Sequence, residues 1–445
     1  MNLSAYPEYR YSGTERLGDV PKHWEVKRGR FVMKVNPSAP RLRALKPNDE
    51  VSFVPMDAVG EYGGIRLDQI KQIDEIGSGY TEFQDGDVVV AKITPCFENG
   101  KGSLAQGLRN GVAYGTTELH VLRTLPNLDC RYLFYLTIST LYREAGEAEM
   151  YGAGGQKRVP PEFNKDFRTP LPLLDEQRTI ADFLDAQTAK FDALLAKKRE
   201  LIGALKEKRT ALITRTVTCG LPPDVASAAG LDPHPVIKQS EIKWLGVVPD
   251  HWKVQKLSLH FIAKKGSNAA LLTKEYCSTI EGNYPVYSGQ TENDGVMSSI
   301  NEYEFDAGSD GYLFSTTVGA KAMSVMHLKG KFSLSQNCMV IIPINKSIVP
   351  RFYYYHLQPL FTFERGLIPE HMQASFRMED LYQYRIAIPS YSEQIEIADF
   401  LDRETAKIDC MVNKIEEAIE RLQEYRSALI TAAVTGKVDV RGGVT

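Results

Sequence analysis

A stretch of about 43 residues occurs twice in this chain, and that repetition limits what the chain can fold into. Residues 176–218 read EQRTIADFLDAQTAKFDALLAKKRELIGALKEKRTALITRTVT. Residues 393–435 read EQIEIADFLDRETAKIDCMVNKIEEAIERLQEYRSALITAAVT, identical at 24 of 43 positions with no gap. Both copies carry apolar residues at heptad spacing. In the first, the seams are Leu184, Phe191, Lys198, Leu205 and Leu212, and Thr188, Leu195, Ile202 and Arg209. In the second they are Leu401, Ile408, Ile415, Leu422 and Leu429, and Thr405, Val412, Ile419 and Arg426. Neither copy contains proline, and both are rich in helix formers. About 40 residues at 1.5 Å each make a rod of roughly 60 Å, whose apolar stripe cannot be buried alone. The expected partner is the other copy, as an antiparallel intramolecular coiled coil with pseudo-two-fold symmetry.

A shorter repeat precedes each variable segment. RLGDVPKHWEV at 16–26 returns as WLGVVPDHWKV at 244–254. Gly18 and Pro21 mark a turn, and Trp24 reads as a buried anchor. His23 and His251 match as well. A structural role is expected for them, since no carboxylate or serine partner accompanies both copies.

Between anchor and long helix the two segments share an outline rather than residues. Strands are expected at 87–94 and 312–318, then at 118–125 and 337–344. Helices follow at 129–143, with Asp129 as N-cap, and at 350–363, with Pro350 at the first position. Short extended runs at 169–172 and 387–389 lead into the long helices. The fold class is α+β: two α/β variable domains joined by the two long helices. The expected segments are an anchor at 1–26, a domain at 27–175, a helix at 176–218 and a linker at 219–243. Anchor and second domain follow at 244–392, then a helix at 393–435 and a frayed tail at 436–445.

A length of 445 residues with 43% hydrophobic and 24% charged residues fits a chain with a sizeable core and roughly three folding units. The first residues lack an apolar signal core, and no run approaches about 18 apolar residues, so a cytoplasmic location without membrane contact is expected. Six scattered cysteines include no CxxC pair, and no metal site is expected. There is no GxxxxGK[ST], and Gly152, Gly154 and Gly155 lack the strand-to-helix setting of a dinucleotide site. The chain by itself does not read as an enzyme, and no catalytic residue is assigned.

The net charge of −3 argues against a uniformly basic surface. Local charge is placed alike after both anchors, however. Lys27, Arg28, Arg30, Lys34, Arg41, Arg43 and Lys46 come with no acid among them. Lys253, Lys256, Lys264, Lys265 and Lys274 follow the second anchor in the same way. Such patches can neutralise phosphates and release counterions. Base reading needs polar side chains on loops. Candidates in the first domain are Lys92, Thr94, Asn99 and Lys101, with Gln156, Lys157 and Arg158. Those in the second are Ser315, Thr316, Thr317, Lys321, Gln336, Gln373 and Arg377. Gln156 and Gln373 share the offset of the long helices and so are expected on equivalent loops. An open alternative is a stand-alone DNA methyltransferase or nuclease with degraded motifs. Another is a protein-only coiled-coil scaffold.

The whole chain resembles the specificity (S) subunits of type I restriction–modification systems. The resemblance rests on LGDVPKHWEV and WLGVVPDHWKV, on EQRTIADFLDAQTAKFD and EQIEIADFLDRETAKID, and on ALITRTVT and ALITAAVTGK. GDVVVAKITPCFENGK adds to it. It implies two target-recognition domains, each reading half of a bipartite, asymmetric site in double-stranded DNA. It also implies helices that space those domains and dock two methyltransferase (M) subunits, with restriction (R) subunits joining them. S-adenosylmethionine, ATP and Mg would then belong to the partner subunits, leaving this chain without a cofactor. Cys219-Gly220 stands where the second copy has Gly436-Lys437, which leaves the end of the first helix open.

Overall fold

The computed structural model describes residues 4–153, 155–289, 293–319, 321–369 and 371–442. It divides into two compact units, Met1–Arg199 with Glu416–Thr445, and Glu200–Ile415. The division runs through both repeated helices, which span Leu174–Cys219 and Tyr391–Val434. Each unit therefore holds one half of each long helix, rather than a domain followed by its own helix.

Both helices begin two residues before the repeated glutamate, and the following glutamine shows why. Gln177 accepts the Asp129 N–H at 2.8 Å and donates to the carbonyls of Pro172 and Asn127 at 2.9 and 3.0 Å. Gln394 accepts from Val349 N–H and donates to Pro389 and Ser347 in the same way. One buried side chain thus ties the helix start to the end of the preceding strand and to the N-cap of an earlier helix.

Within the first unit, Arg426 pairs with Asp192 at 3.5 Å, and the Phe191 and Tyr425 rings meet edge to face. Within the second, Arg209 pairs with Asp409 at 2.9 Å. As residue numbers rise on one helix they fall on the other, as antiparallel pairing requires. The two arginines occupy the same place in the repeat, and so do the two aspartates. No seam residue of either helix is exposed.

Each unit carries two four-stranded sheets with one topology. In the first unit the order is Met33–Val35, Leu119–Thr124, Val88–Ala91, Gly102–Leu104, all antiparallel. Its second sheet runs Ile70–Gln72, Glu50–Val54, Val112–Gly115, Thr81–Gln84, with the middle pair parallel. The second unit repeats this as Phe261–Lys264, Cys338–Pro343, Tyr312–Thr316, Val325–Leu328. Its other sheet runs Val296–Ile300, Tyr284–Tyr287, Lys331–Leu334, Phe305–Asp306, again with a parallel middle pair. Side chains alternate between faces along a strand. Val88 and Val90 accordingly join the cluster under the helices, and Val89 and Ala91 join the one beneath the second sheet. A strand covered on both faces has to be apolar throughout, as VVVA is.

Some expected elements differ in detail. The helix at 129–143 is two helices, Cys130–Ile138 and Thr140–Ala148, broken at Ser139, whose hydroxyl accepts the Tyr142 N–H. Asp129 caps the first through Arg131 and Tyr132 N–H groups. In the second unit Pro350–Gly366 is a single helix despite Pro359. The linker is structured: Pro223–Ala228 is helical, and Ile237–Gln239 pairs with Val247–Pro249. The described part of the tail is not frayed. Val440 is buried, Asp439 N–H bonds Ser4, and Lys437 Nζ donates to Asp19 O at 2.6 Å. Both long helices are followed by a left-handed glycine, Gly220 and Gly436. A side chain at Gly436 would collide with Pro21 and crowd Trp24.

Candidate nucleic-acid interface

The base of each variable domain is a clamp on the buried indole of the anchor. Trp24 Nε1 donates to Glu176 at 3.1 Å, and His23 Nε2 lies 2.8 Å from the same carboxylate. Trp252 Nε1 and His251 Nε2 lie 3.0 and 2.7 Å from Glu393. A carboxylate therefore does accompany both histidines, contrary to expectation. It arrives from the helix start, more than a hundred residues downstream, so local sequence could not show it. Burial pushes the Glu393 pKa up, but bonds from Trp252, Ser390 and His251 outweigh it and hold it below the ordinary range. The arrangement is a fastening: each carboxylate on a long helix bonds the histidine and the indole of an anchor.

Above this base, two loops are brought together in each unit by the same backbone bonds. Lys92 N–H bonds Glu118 O at 2.9 Å, Val159 N–H bonds Lys92 O at 2.8 Å, and Thr94 N–H bonds Lys157 O at 3.0 Å. In the second unit Thr317 N–H bonds Asn337 O at 2.8 Å, Phe376 N–H bonds Thr317 O at 2.7 Å, and Gly319 N–H bonds Ala374 O at 3.0 Å. Isolated bridges join Ile93 to Arg158 and Val318 to Ser375. Gln156 and Gln373 do sit on equivalent loops, and both side chains are exposed.

The named candidates divide into three groups. Asn99, Gln156, Lys157, Lys321, Gln336, Gln373 and Arg377 are exposed on these loops or beside them, and Lys92 and Thr94 are half-buried there. Ser315, Thr316 and Thr317 are buried, which overturns their reading as base contacts. Tyr312–Thr316 is an inner strand, and Thr316 Oγ1 turns inward to the Lys321 carbonyl and Ser324 Oγ. Lys101 and Arg158 are occupied internally. Lys101 Nζ donates to Met56 O at 3.2 Å, while Arg158 grips Glu118 through two 2.9 Å bonds. Those bonds hold the Glu118 carboxyl below its ordinary pKa.

The first basic stretch is not acid-free in space. Lys27 pairs with Glu25, and Arg28 and Arg30 both face Asp166. Lys34 lies exposed on an edge strand, and Arg41 and Arg43 lie exposed on the turn Pro40–Ala44. Lys264 and Lys265 are exposed and make no ion pair among the described residues. The stretch thus spreads over strands and turns instead of forming one patch. Sequence reasoning missed Glu176, Glu393 and Glu118. The first two were visible as the repeated EQ, but were read only as helix starts.

No helix among the described residues is long and apolar enough to cross a membrane. Residues 249–421 match the type I restriction modification DNA specificity domain. Among curated relatives, the EcoEI specificity subunit of Escherichia coli is 39% identical over 176 residues, covering 39% of this chain and 29% of that one. The EcoAI specificity subunit of the same organism is 37% identical over 38% of this chain and 28% of its own length. The matched segment thus spans less than a third of those two relatives. The MjaX specificity subunit of Methanocaldococcus jannaschii, itself a putative assignment, is 21% identical over 99% of both chains. A chain from a solved type I R-M system structure, concerned with complex assembly and conformational transition, shares the fold. Its TM-score is 0.66 at 17% identity, covering 94% of this chain and 99% of that one. It is residues 249–421 that match the type I restriction modification DNA specificity domain, and the chain as a whole shares the fold of the type I R-M system chain.

Proposed function

We propose that this chain reads a bipartite, asymmetric site in double-stranded DNA, one half-site per variable domain, as the non-catalytic subunit of a cytoplasmic methylation and restriction complex. Two methyltransferase subunits and the restriction subunits are its partners. S-adenosylmethionine, ATP and Mg are bound by those partners. One observation carries the reading: the two loop clusters have the same backbone bonding and different side chains. One scaffold presenting two sets of polar groups is what an asymmetric site demands, since base edges are told apart by donor and acceptor pattern.

The test is incubation of the purified chain with DNA and labelled S-adenosylmethionine, with and without the methyltransferase subunit. Methylation is expected only with the partner, at a site of two fixed half-sequences. Methyl transfer by the chain alone would overturn the reading. Within that assay, Gln156→Ala should cost about 1–3 kcal/mol of discrimination at one base pair of one half-site, and Gln373→Ala the same at the other. Competition among duplexes differing at single positions measures this. A loss spread evenly over all sequences would make these glutamines positioning groups instead.

A further inference from the structure

We propose that Arg143, buried on the helix Thr140–Ala148, is a positioning residue for base readout by the first variable domain, setting the conformation of the loop 94–101. The proposal rests on the DNA-reading function above. It starts from a charge in an unusual place. Arg143, on the helix Thr140–Ala148, is 8% exposed and has no carboxylate bonded to it. Among the described residues its guanidinium makes one hydrogen bond, from Nη1 to the carbonyl of Phe97, at 2.5 Å. Its guanidinium also lies over the Phe97 ring, 4.8 Å from the centroid. Nε and Nη2 are buried without a partner among the described residues. Burial lowers the pKa to about 10, so the group stays charged at neutral pH.

The receiving carbonyl explains the charge. Residues 93–101 form a helical turn in which Phe97, Asn99 and Lys101 N–H groups bond the carbonyls of Ile93, Pro95 and Cys96, and Gly100 N–H bonds Phe97 O. The carbonyls at the C-terminal end of such a turn carry partial negative charge, and a cation there is favourable. The Phe97 ring fills a slot that exists because residue 146 is glycine; any side chain there would collide with it. Arg143 and Gly146, one turn apart on a single helix, hold the carbonyl and the ring of the same loop residue. Thr94 and Asn99, the candidate base-reading groups, flank that residue. In the second unit Arg365, exposed on Pro350–Gly366, donates to Ala322 O at 3.4 Å in the loop that carries Lys321, without the burial of Arg143.

An inner group of this kind changes which base a loop prefers, because it fixes side-chain direction without touching phosphate. The experiment selects duplexes from a randomised DNA library with the full chain and its methyltransferase partner, comparing the unsubstituted chain, Arg143→Lys and Arg143→Met. Arg143→Met is expected to lose about tenfold discrimination at one or two base pairs of the first half-site. Arg143→Lys, which keeps a cation on the carbonyl, is expected to recover part of it. The second half-site serves as an internal control for folding and should be unchanged. The salt slope should also stay constant, since a lost phosphate contact would reduce it by about 1. Unchanged first half-site preferences would overturn the proposal while leaving the DNA-reading function standing. Equal weakening of both half-sites, or a reduced salt slope, would also overturn it. Failure of the unsubstituted chain to select any sequence would remove both.

Discussion

Trp24→Ala is expected to lower the unfolding free energy of the chain by about 4 kcal/mol, and Trp252→Ala by a similar amount. Both indoles are essentially unexposed, at 1% and 0%. Truncation removes a large apolar volume from a packed core. It also removes a donor from a carboxylate that the fold buries. Glu176, 8% exposed, would keep the Tyr6 hydroxyl at 2.9 Å, His23 at 2.8 Å and the more distant Arg441 at 4.0 Å. Trp24→Phe separates these effects. It keeps most of the burial and loses one charge-assisted hydrogen bond, so about 1.5–3 kcal/mol is expected. Urea midpoints of the three proteins measure both. Equal losses for Phe and Ala would assign the stabilisation to the hydrogen bond, and burial would not be the reason for the repeated tryptophan. The indole joins anchor and long helix, so this loss falls on the base that holds the first pair of reading loops.

What was legible in the sequence follows from how far apart the interacting residues lie. The long helices were readable because a heptad is local, and the two copies told the same story twice. Their antiparallel pairing was readable from repetition. The buried runs VVVA and YLFST were readable as strands, but the order of the sheets was not. Leu119–Thr124 lies between Met33–Val35 and Val88–Ala91, a pairing that spans nearly ninety residues and leaves no periodic mark. The split at Ser139 and the ordered linker were missed because Ser, Pro and Gly signal both caps and loops.

The candidate interface divides along the same line. Gln156 and Gln373 could be matched because both lie at the offset of the long helices, and backbone bonds then place them alike. Ser315, Thr316 and Thr317 were misread because three hydroxyls at the end of an expected strand look free for base contacts, while Tyr312–Thr316 is an inner strand covered on both faces and Thr317 is buried just beyond it. The run of cations after the first anchor looked unopposed because Asp166, which faces Arg28 and Arg30, comes more than a hundred residues later. Arg143 gave no sequence signal at all. A single arginine on an amphipathic helix reads as surface, and only its burial beneath Phe97 O distinguishes it.

Mild acid is expected to destabilise the second unit through His356, by about 3 kcal/mol between pH 6.5 and pH 4. The ring is fully buried on the helix Pro350–Gly366, stacked on Phe352 and edge-on to Trp244. Its Nε2 accepts the Ala387 N–H at 3.2 Å, which requires an unprotonated nitrogen. Burial drives the pKa down to about 3, against the pull of a Val217 backbone group. The unfolded chain binds this proton near pH 6.5 and the folded chain does not until about 3, so the contribution is complete above 6.5 and is lost as pH falls towards 3. Carboxylates whose pKa is held low, such as Glu118 and Glu393, act with the same sign only below their own unfolded value; Glu364, raised by burial, acts with the opposite sign above it. His120, also lowered by burial, adds a component in the first unit, and His260 and His327, lowered in the same way, add components in the second. His356→Gln keeps an acceptor near the Ala387 amide and cannot titrate. It should lose about 1–2 kcal/mol at pH 7 but fall less steeply on acidification, so its curve approaches that of the parent near pH 5. Urea unfolding at pH 7, 6, 5 and 4.5 gives both slopes. Parallel lines would show that the His356 proton is not coupled to folding, and its place beneath Ala387 would then have to tolerate a cation.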